Sequence, residues 1–281
     1  MIRPRRSVLF LPASNPRAVA KARELACDVV VLDLEDAVAP EAKAAAREAA
    51  AAAIAEGFGG REVVLRVNAL DTPWGEADLA AAARAAPDAV LAPKVNTAAE
   101  VRAYDGGLCT APPRVRFWAM IETPRAVLEL PAIAAEAGAT RLDALVLGVN
   151  DLGASTRARR TPGREPFAYA MAATVTAARA YGLLAIDGVH NAVEDTEGLE
   201  AACRQGRDFG FDGKSLIHPS QIEAANRAFS PSDEEVAWAE AVSAAFADPA
   251  NAGKGAVRVD GKMAERLHLE EAERILAFRA A

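Results

Sequence analysis

The chain has 281 residues, 52% hydrophobic and 25% charged, which supplies one large core and excludes a disordered chain. Its formal charge of −7 disfavours nucleic acid and anionic membrane as partners, and no apolar stretch reaches the ~20 residues of a membrane span. Cys27, Cys109 and Cys203 are widely spaced, no CxxC is present and no secretory leader is evident, so the expectation is a cytoplasmic protein with reduced thiols.

In chain order, apolar, β-branched runs predict strands at Ser7–Pro12, Asp28–Leu34, Glu62–Val67, Asp88–Pro93, Val115–Ile121, Asp143–Val149, Leu183–Asp187 and Asp208–Phe211. Ala-rich segments between them, such as Pro40–Glu56 and Pro124–Ala137, predict helices. Continuous apolar strands alternating with helices imply a parallel sheet covered on both faces. Eight such units within residues 1–229 predict a (β/α)8 TIM barrel. A doubly wound open sheet is the alternative, but no GxGxxG follows the first strand. Arg3, Arg5, Arg6, Arg17, Lys21 and Arg23 all precede the first acid, Glu24, and read as solvated surface charges.

Residues 230–281 break the pattern and predict a C-terminal helical extension or lid. Ser232 and Glu235 have capping-box spacing, and a helix to about Ala247 follows. "DPANAGKGAVRVDGKM" reads as a Gly-containing linker, and Ala264–Ala280 as a last helix. That helix suits either a mobile lid or a fixed support for the barrel.

In such a barrel the C-terminal strand ends converge on one mouth. Read in order, those ends carry Glu35-Asp36, Arg66, Lys94, Glu122, Asn150-Asp151, Asp187, and then Asp212 and Lys214. So many carboxylates stay ionised together only with a cation among them. Glu122 and Asp151 lie one βα unit apart, on neighbouring strands, and two carboxylates with waters are a usual Mg²⁺ set. Arg66 offers a fork for a substrate carboxylate. Each acid also has a plainer reading: Glu122 and Asp151 as helix N-terminal acids, and Asp33, Asp187 and Asp212 as structural. His190, His218 and His268 lack metal-ligand spacing, and no GxSxG is present. A Schiff base at Lys94 needs a desolvating pocket, and beside these acids its pKa is expected to stay high.

The stretches "RSVLFLPASNPRAVAKA", "VVVLDLEDAV", "LRVNALDTPWG", "APKV", "AMIETPRAV", "LVLGVNDLGAS" and "DFGFDGKSLIHPSQIEAANRAFSPS" together resemble the citrate lyase beta-subunit-like and malyl-CoA lyase-like branch of the HpcH/HpaI aldolase superfamily. The resemblance implies a TIM barrel, Mg²⁺ on Glu122 and Asp151, a substrate-binding and catalytic Arg66, and a CoA thioester with a 2-oxo acid as small-molecule partners. Asp36 stands where the pyruvate-aldolase branch has His, which points to the CoA branch. Relatives of this kind form trimers or hexamers in which the tail closes a neighbour's site. Malyl-CoA lyase-like members carry an Asp in a tail motif of the form GxMVDxPH. Here the stretch is "GKMAERLH", with Glu265 at that position, and Asn150 replaces a common Glu.

The expected activity is therefore Mg²⁺-dependent cleavage of a β-hydroxyacyl-CoA to an acyl-CoA and a 2-oxo acid. In it Glu265 moves the proton, Glu35 and Asp36 meet substrate, and Arg17 and Lys21 meet CoA phosphates. Arg157, Arg159 and Arg160 compete for that last role. Two alternatives stand: a subunit active only in a complex, and a malyl-CoA-type thioesterase.

Overall fold

A computed structural model describes residues 3–279. The described residues form ten strands: β1 Ser7–Pro12, β2 Val29–Asp33, β3 Glu62–Arg66, β4 Ala89–Ala92, β5 Arg116–Ile121, β6 Leu142–Leu147, β7 Leu184–Asp187, β8 Gly213–Leu216, β9 Ala256–Val259 and β10 Lys262–Glu265. The α-helices are α1 Pro16–Ala22, α2 Lys43–Glu56, α3 Gly75–Ala85, α4 Ala98–Gly107, α5 Pro124–Leu128, α6 Leu130–Ala135, α7 Val149–Thr156, α8 Ala168–Ala180, α9 Thr196–Phe209, α10 Ile222–Ala228, α11 Asp233–Ala247 and α12 Arg266–Arg279. The described chain divides into two compact units, Arg5–Asn226 and Arg227 onward, the second also taking Arg3 and Pro4.

The first unit is a closed parallel barrel in the order β1 to β8, with β1 pairing β8. The expected eight-fold βα pattern thus closes as a barrel. Strand parity explains what fills it. Val29 and Val31 of β2, Val64 of β3, Trp118 and Met120 of β5 and Val146 of β6 are among the inward side chains of one apolar cluster. Successive strand residues face opposite sides, so the next inward position on each strand carries Asp33, Arg66, Glu122 and Gly148. The polar residues therefore cap the same columns that build the core.

Two elements of the barrel differ from the sequence expectation. Asp208–Phe211 is not the eighth strand. Phe209 ends α9, Gly210 caps it at φ 96°, and β8 is Gly213–Leu216. "GKSL" lacks β-branched residues, so its strand signal is weak. A Cβ on Gly213 would lie 1.8 Å from the Arg5 carbonyl oxygen, so closing the barrel requires glycine there. Asp212 consequently precedes its strand, away from the mouth, where it pairs with Arg179 at 2.9 Å. Pro124–Ala137 is also not one helix. Pro131 sits in the first turn of α6 and lacks the N–H that would continue α5.

The N-terminal cations are only partly solvated. Arg5 donates to Glu62 Oε1 at 3.0 Å, Arg6 grips Asp28 through two bonds of 2.8 Å, and Arg23 pairs with Glu56 at 2.7 Å. Arg17 and Lys21 are exposed, as expected.

In the second unit the capping box forms in full: Ser232 accepts from Glu235 N–H, and the Glu235 side chain accepts from Ser232 N–H. The expected linker contains a hairpin. β9 and β10 pair antiparallel across Asp260-Gly261, both at positive φ (49° and 81°). Asp-Gly favours the two-residue turn that needs this conformation. Ala264 and Glu265 consequently belong to β10 rather than to the last helix. Ala280, at the expected end of that helix, lies outside the described residues. Ala239, Val242, Val257, Val259, Ala264 and Ala272 form this unit's own apolar core. Cys27 and Cys203 are buried free thiols, and Cys109 is an exposed one. No helix among the described residues is long and apolar enough to cross a membrane.

Candidate active site

At the C-terminal ends of the barrel strands lies a cavity of about 400 Å³. Its lining combines apolar Phe10, Met120, Leu147, Val149, Val189 and Ile217 with polar Asp33, Asp36, Arg66, Glu122, Asn150 and Asp151. Every lining residue belongs to the barrel unit.

Arg66 does not present an open fork. Its Nε and Nη2 donate to the two oxygens of Asp33 at 2.7 and 2.6 Å. Asp33 in turn accepts from the N–H groups of Glu35 and Ala37, which fixes the turn after β2. The Arg66 guanidinium carbon lies 5.4 Å from the Phe10 ring, a cation–π contact. What remains for a ligand is the Nη1 edge. Nη1 stands 2.8 Å from Glu35 Oε2 and 3.7 Å from Asp36 Oδ2. Glu35 Oε2 is close enough for charge pairing but off-line for a hydrogen bond, and it keeps an unused buried acceptor. Asp33, Glu35 and Asp36 together hold the Arg66 pKa well above its ordinary value despite burial. Burial pushes Glu35 up, and Arg66 opposes that shift.

Glu122 follows β5 and is 3% exposed. It does not cap α5, because Thr123 does so by accepting from Ala126 N–H. Burial, with the charges of Glu35 and Asp151, pushes its carboxyl up to about 7, whereas the hydrogen bond it accepts from Lys94 N–H at 2.8 Å pulls it down. Asp151 lies on the neighbouring strand's connection, in the first turn of α7; the capping position of that helix is Gly148. Asp151 is therefore free to face the cavity rather than to cap.

Lys94, set aside in the sequence reading except for its high pKa, sits among these acids. Its Nζ is 2.8 Å from Glu35 Oε1 and 3.4 Å from Asp151 Oδ2, and both partners hold its pKa up. Its backbone is left-handed at φ 50°, which costs a non-glycine residue about 1 kcal/mol. A sequence signal existed: Lys94 ends "APKV" at the fourth strand, between the acids of strands two and five.

The other mouth acids are structural. Asp187 is fully buried and takes Lys214 Nζ at 2.7 Å and Arg164 Nη1 at 2.8 and 2.9 Å. Arg17 and Lys21, on α1, do not line the cavity. Glu265 lies exposed at the end of β10 in the second unit. Asn150 exchanges hydrogen bonds with Asn191 at 2.7 and 3.2 Å, joining the loops after β6 and β7.

Among the described residues no group of three His, Cys, Asp or Glu side chains is arranged to cage a metal ion. The donor set nevertheless fits a hard divalent cation. Glu122 and Asp151 both line the cavity, burial and then the charge of Glu35 raise Glu122 most, and Mg²⁺ is ordinarily held by one or two carboxylates plus waters and substrate oxygens.

Residues 6–219 match the family model described as HpcH/HpaI aldolase/citrate lyase. The chain belongs to this family. It is 45% identical to a (3S)-malyl-CoA thioesterase of Cereibacter sphaeroides, over 99% of this chain and 98% of the relative. It is 36% identical to an L-malyl-CoA/beta-methylmalyl-CoA lyase of the same species, over 98% of this chain and 94% of the relative. Its structure superposes on that of the CitE protein of Mycobacterium tuberculosis in complex with magnesium, acetoacetate and coenzyme A. The TM-score is 0.80 at 35% identity, covering 99% of this chain and 98% of that one.

Two predictions follow from the site geometry. A Cβ on Gly148 would lie 2.4 Å from Glu122 Oε2 and 2.5 Å from Glu122 Cβ, although its φ of −100° suits any residue. Gly148→Ala is therefore expected to displace Glu122 without unfolding the barrel. Turnover should fall on the order of 100-fold, the scale of an ångström-sized misplacement, with an unchanged circular dichroism spectrum.

The second concerns pH. The folded chain holds the Glu122 proton up to about 7 against an ordinary value of 4.5. The stability contributed by this group is fully present below pH 4.5 and is lost as pH rises through about 7. In EDTA, the wild type should lose melting temperature over that window relative to Glu122→Gln, and Mg²⁺ should reduce the loss.

Proposed function

We propose that this chain is a magnesium-dependent enzyme that binds a short β-hydroxyacyl-CoA of the malyl-CoA type and hydrolyses its thioester. The full-length 45% identity with a (3S)-malyl-CoA thioesterase carries the proposal. It reverses the order of the sequence expectation, which put carbon–carbon cleavage first. Glu122 and Asp151 are the residues that would hold Mg²⁺, which supplies Lewis-acid polarisation of a substrate oxygen.

The chain's own groups do the rest. Arg66, oriented by Asp33, sets a permanent positive charge and its Nη1 edge where negative charge develops on the thioester carbonyl oxygen. Asp36, exposed at the cavity wall, accepts the proton of the attacking water. As the water oxygen bonds to the carbonyl carbon and the carbon–sulfur bond breaks, Asp36 passes that proton to the departing sulfur, which leaves as the thiol of free CoA. Met120, Leu147 and Val189 keep bulk water from the acyl chain. Arg17 and Lys21 are our candidates for the CoA phosphates.

A second reading, cleavage to acetyl-CoA and glyoxylate, draws on the 36% identity with the lyase. There Glu265, from a neighbouring subunit of a homotrimer or hexamer, moves the proton on the CoA-derived carbon.

Chromatography of (3S)-malyl-CoA incubated with the purified protein, in Mg²⁺ or in EDTA, decides between them. Malate and free CoA, formed only with Mg²⁺, are the expected products. Acetyl-CoA and glyoxylate would select the second reading. No Mg²⁺-dependent product of either kind would overturn both.

A further inference from the structure

Lys94 is held more firmly than an ordinary surface lysine. Its carbonyl accepts from Asn96 Nδ2 at 2.6 Å, and the Thr123 hydroxyl donates to Asn96 Oδ1. Asn96 N–H also donates to Glu100, the residue that completes the capping box of α4. The left-handed turn at Lys94 is thus braced from the start of α4 and from Thr123, the residue next to Glu122. The turn does two things at once. It aims the Lys94 N–H at Glu122, and it sends the ammonium between Glu35 and Asp151. Three carboxylates that repel one another are gathered round this ammonium, and Glu35 also meets Arg66 Nη1 at 2.8 Å.

We propose that Lys94 is the site's own counter-ion: it holds Glu35 and Asp151 together in the metal-free protein, and it yields Asp151 when a divalent cation binds. This rests on the reading of Glu122 and Asp151 as the magnesium carboxylates. The ammonium competes with the metal for the same oxygen and repels it, so Lys94 weakens cation affinity. In return it keeps the acids assembled when no metal is present. Binding then becomes an exchange of one cation for another, with the acids already in place.

Calorimetric titration with Mg²⁺ and melting in EDTA test this on the full chain. Lys94→Met removes the charge, Lys94→Arg keeps it, and Lys94→Gln is neutral but still donates, which covers failure of the Met variant to fold. The neutral variants are expected to melt lower than wild type in EDTA and to bind Mg²⁺ about tenfold more tightly, the scale of removing a like charge a few ångströms away. Lys94→Arg should stay near wild type in both. Equal or weaker Mg²⁺ affinity in the neutral variants would overturn the counter-ion role while leaving the metal reading intact. No Mg²⁺ binding by wild type or any variant would overturn the metal reading and this proposal together.

Discussion

Glu122→Gln is expected to lose turnover by a factor on the order of 10³, the equivalent of about 4 kcal/mol of transition-state stabilisation. The substitution keeps shape and volume, and the Gln side-chain oxygen can still accept from Lys94 N–H, as Glu122 Oε1 does at 2.8 Å. Only the charge goes, and with it one of two carboxylates available to a cation. The fold should gain rather than suffer. Burial, Glu35 and Asp151 all raise the Glu122 pKa, so an ionised Glu122 is a cost that the metal-free protein bears. Above pH 7 in EDTA, Glu122→Gln should melt at a higher temperature than wild type while being nearly inactive. Stability gained with function lost is the mark of a strained site. Turnover of malyl-CoA and thermal melts on one preparation measure both.

Arg66→Met is expected to fail in the opposite way, by losing stability. Asp33 is 1% exposed, and both of its oxygens are committed to Arg66 as well as to the turn after β2. Removing the guanidinium leaves Asp33 buried without its cation and Glu35 with only Lys94, and breaking a buried pair on one side costs ~3–5 kcal/mol. Arg66→Lys should recover part of this, because one ammonium cannot bridge both Asp33 oxygens as the fork does. The double variant Arg66→Met with Asp33→Leu removes both partners and should recover most of the stability but none of the activity. Urea denaturation of the single and double variants reads the coupling directly.

The barrel was legible because its first seven strands are continuous apolar runs. β8 was not, since Gly213 is there for the close passage of Arg5 and Lys214 to pair with Asp187, neither of which is a strand signal. The hairpin of β9 and β10 was hidden in what read as a linker, although Asp260-Gly261 marks its turn. At the site, the spacing of Glu122 and Asp151 sufficed to place them just after two adjoining strands, although Asp151 falls in the first turn of α7. The parity of Asp33 with Val29 and Val31 likewise announced an inward side chain. The saturation of Arg66 by Asp33 and the bridging position of Lys94 could not be read. They depend on which side chains meet across β2, β3 and β4, and on a left-handed turn that no residue type at Lys94 announces. The choice between hydrolysis and carbon–carbon cleavage was also beyond residue spacing, because both readings use Glu122, Asp151 and Arg66.

On the proposed reading, Glu122 and Asp151 hold one divalent cation. Titrating Mn²⁺ into the wild type, Glu122→Gln and Asp151→Asn, with free Mn²⁺ followed by electron paramagnetic resonance, tests it most directly. One site per chain is expected in the wild type, and its loss in each variant. Equal stoichiometry and affinity in all three proteins would contradict it.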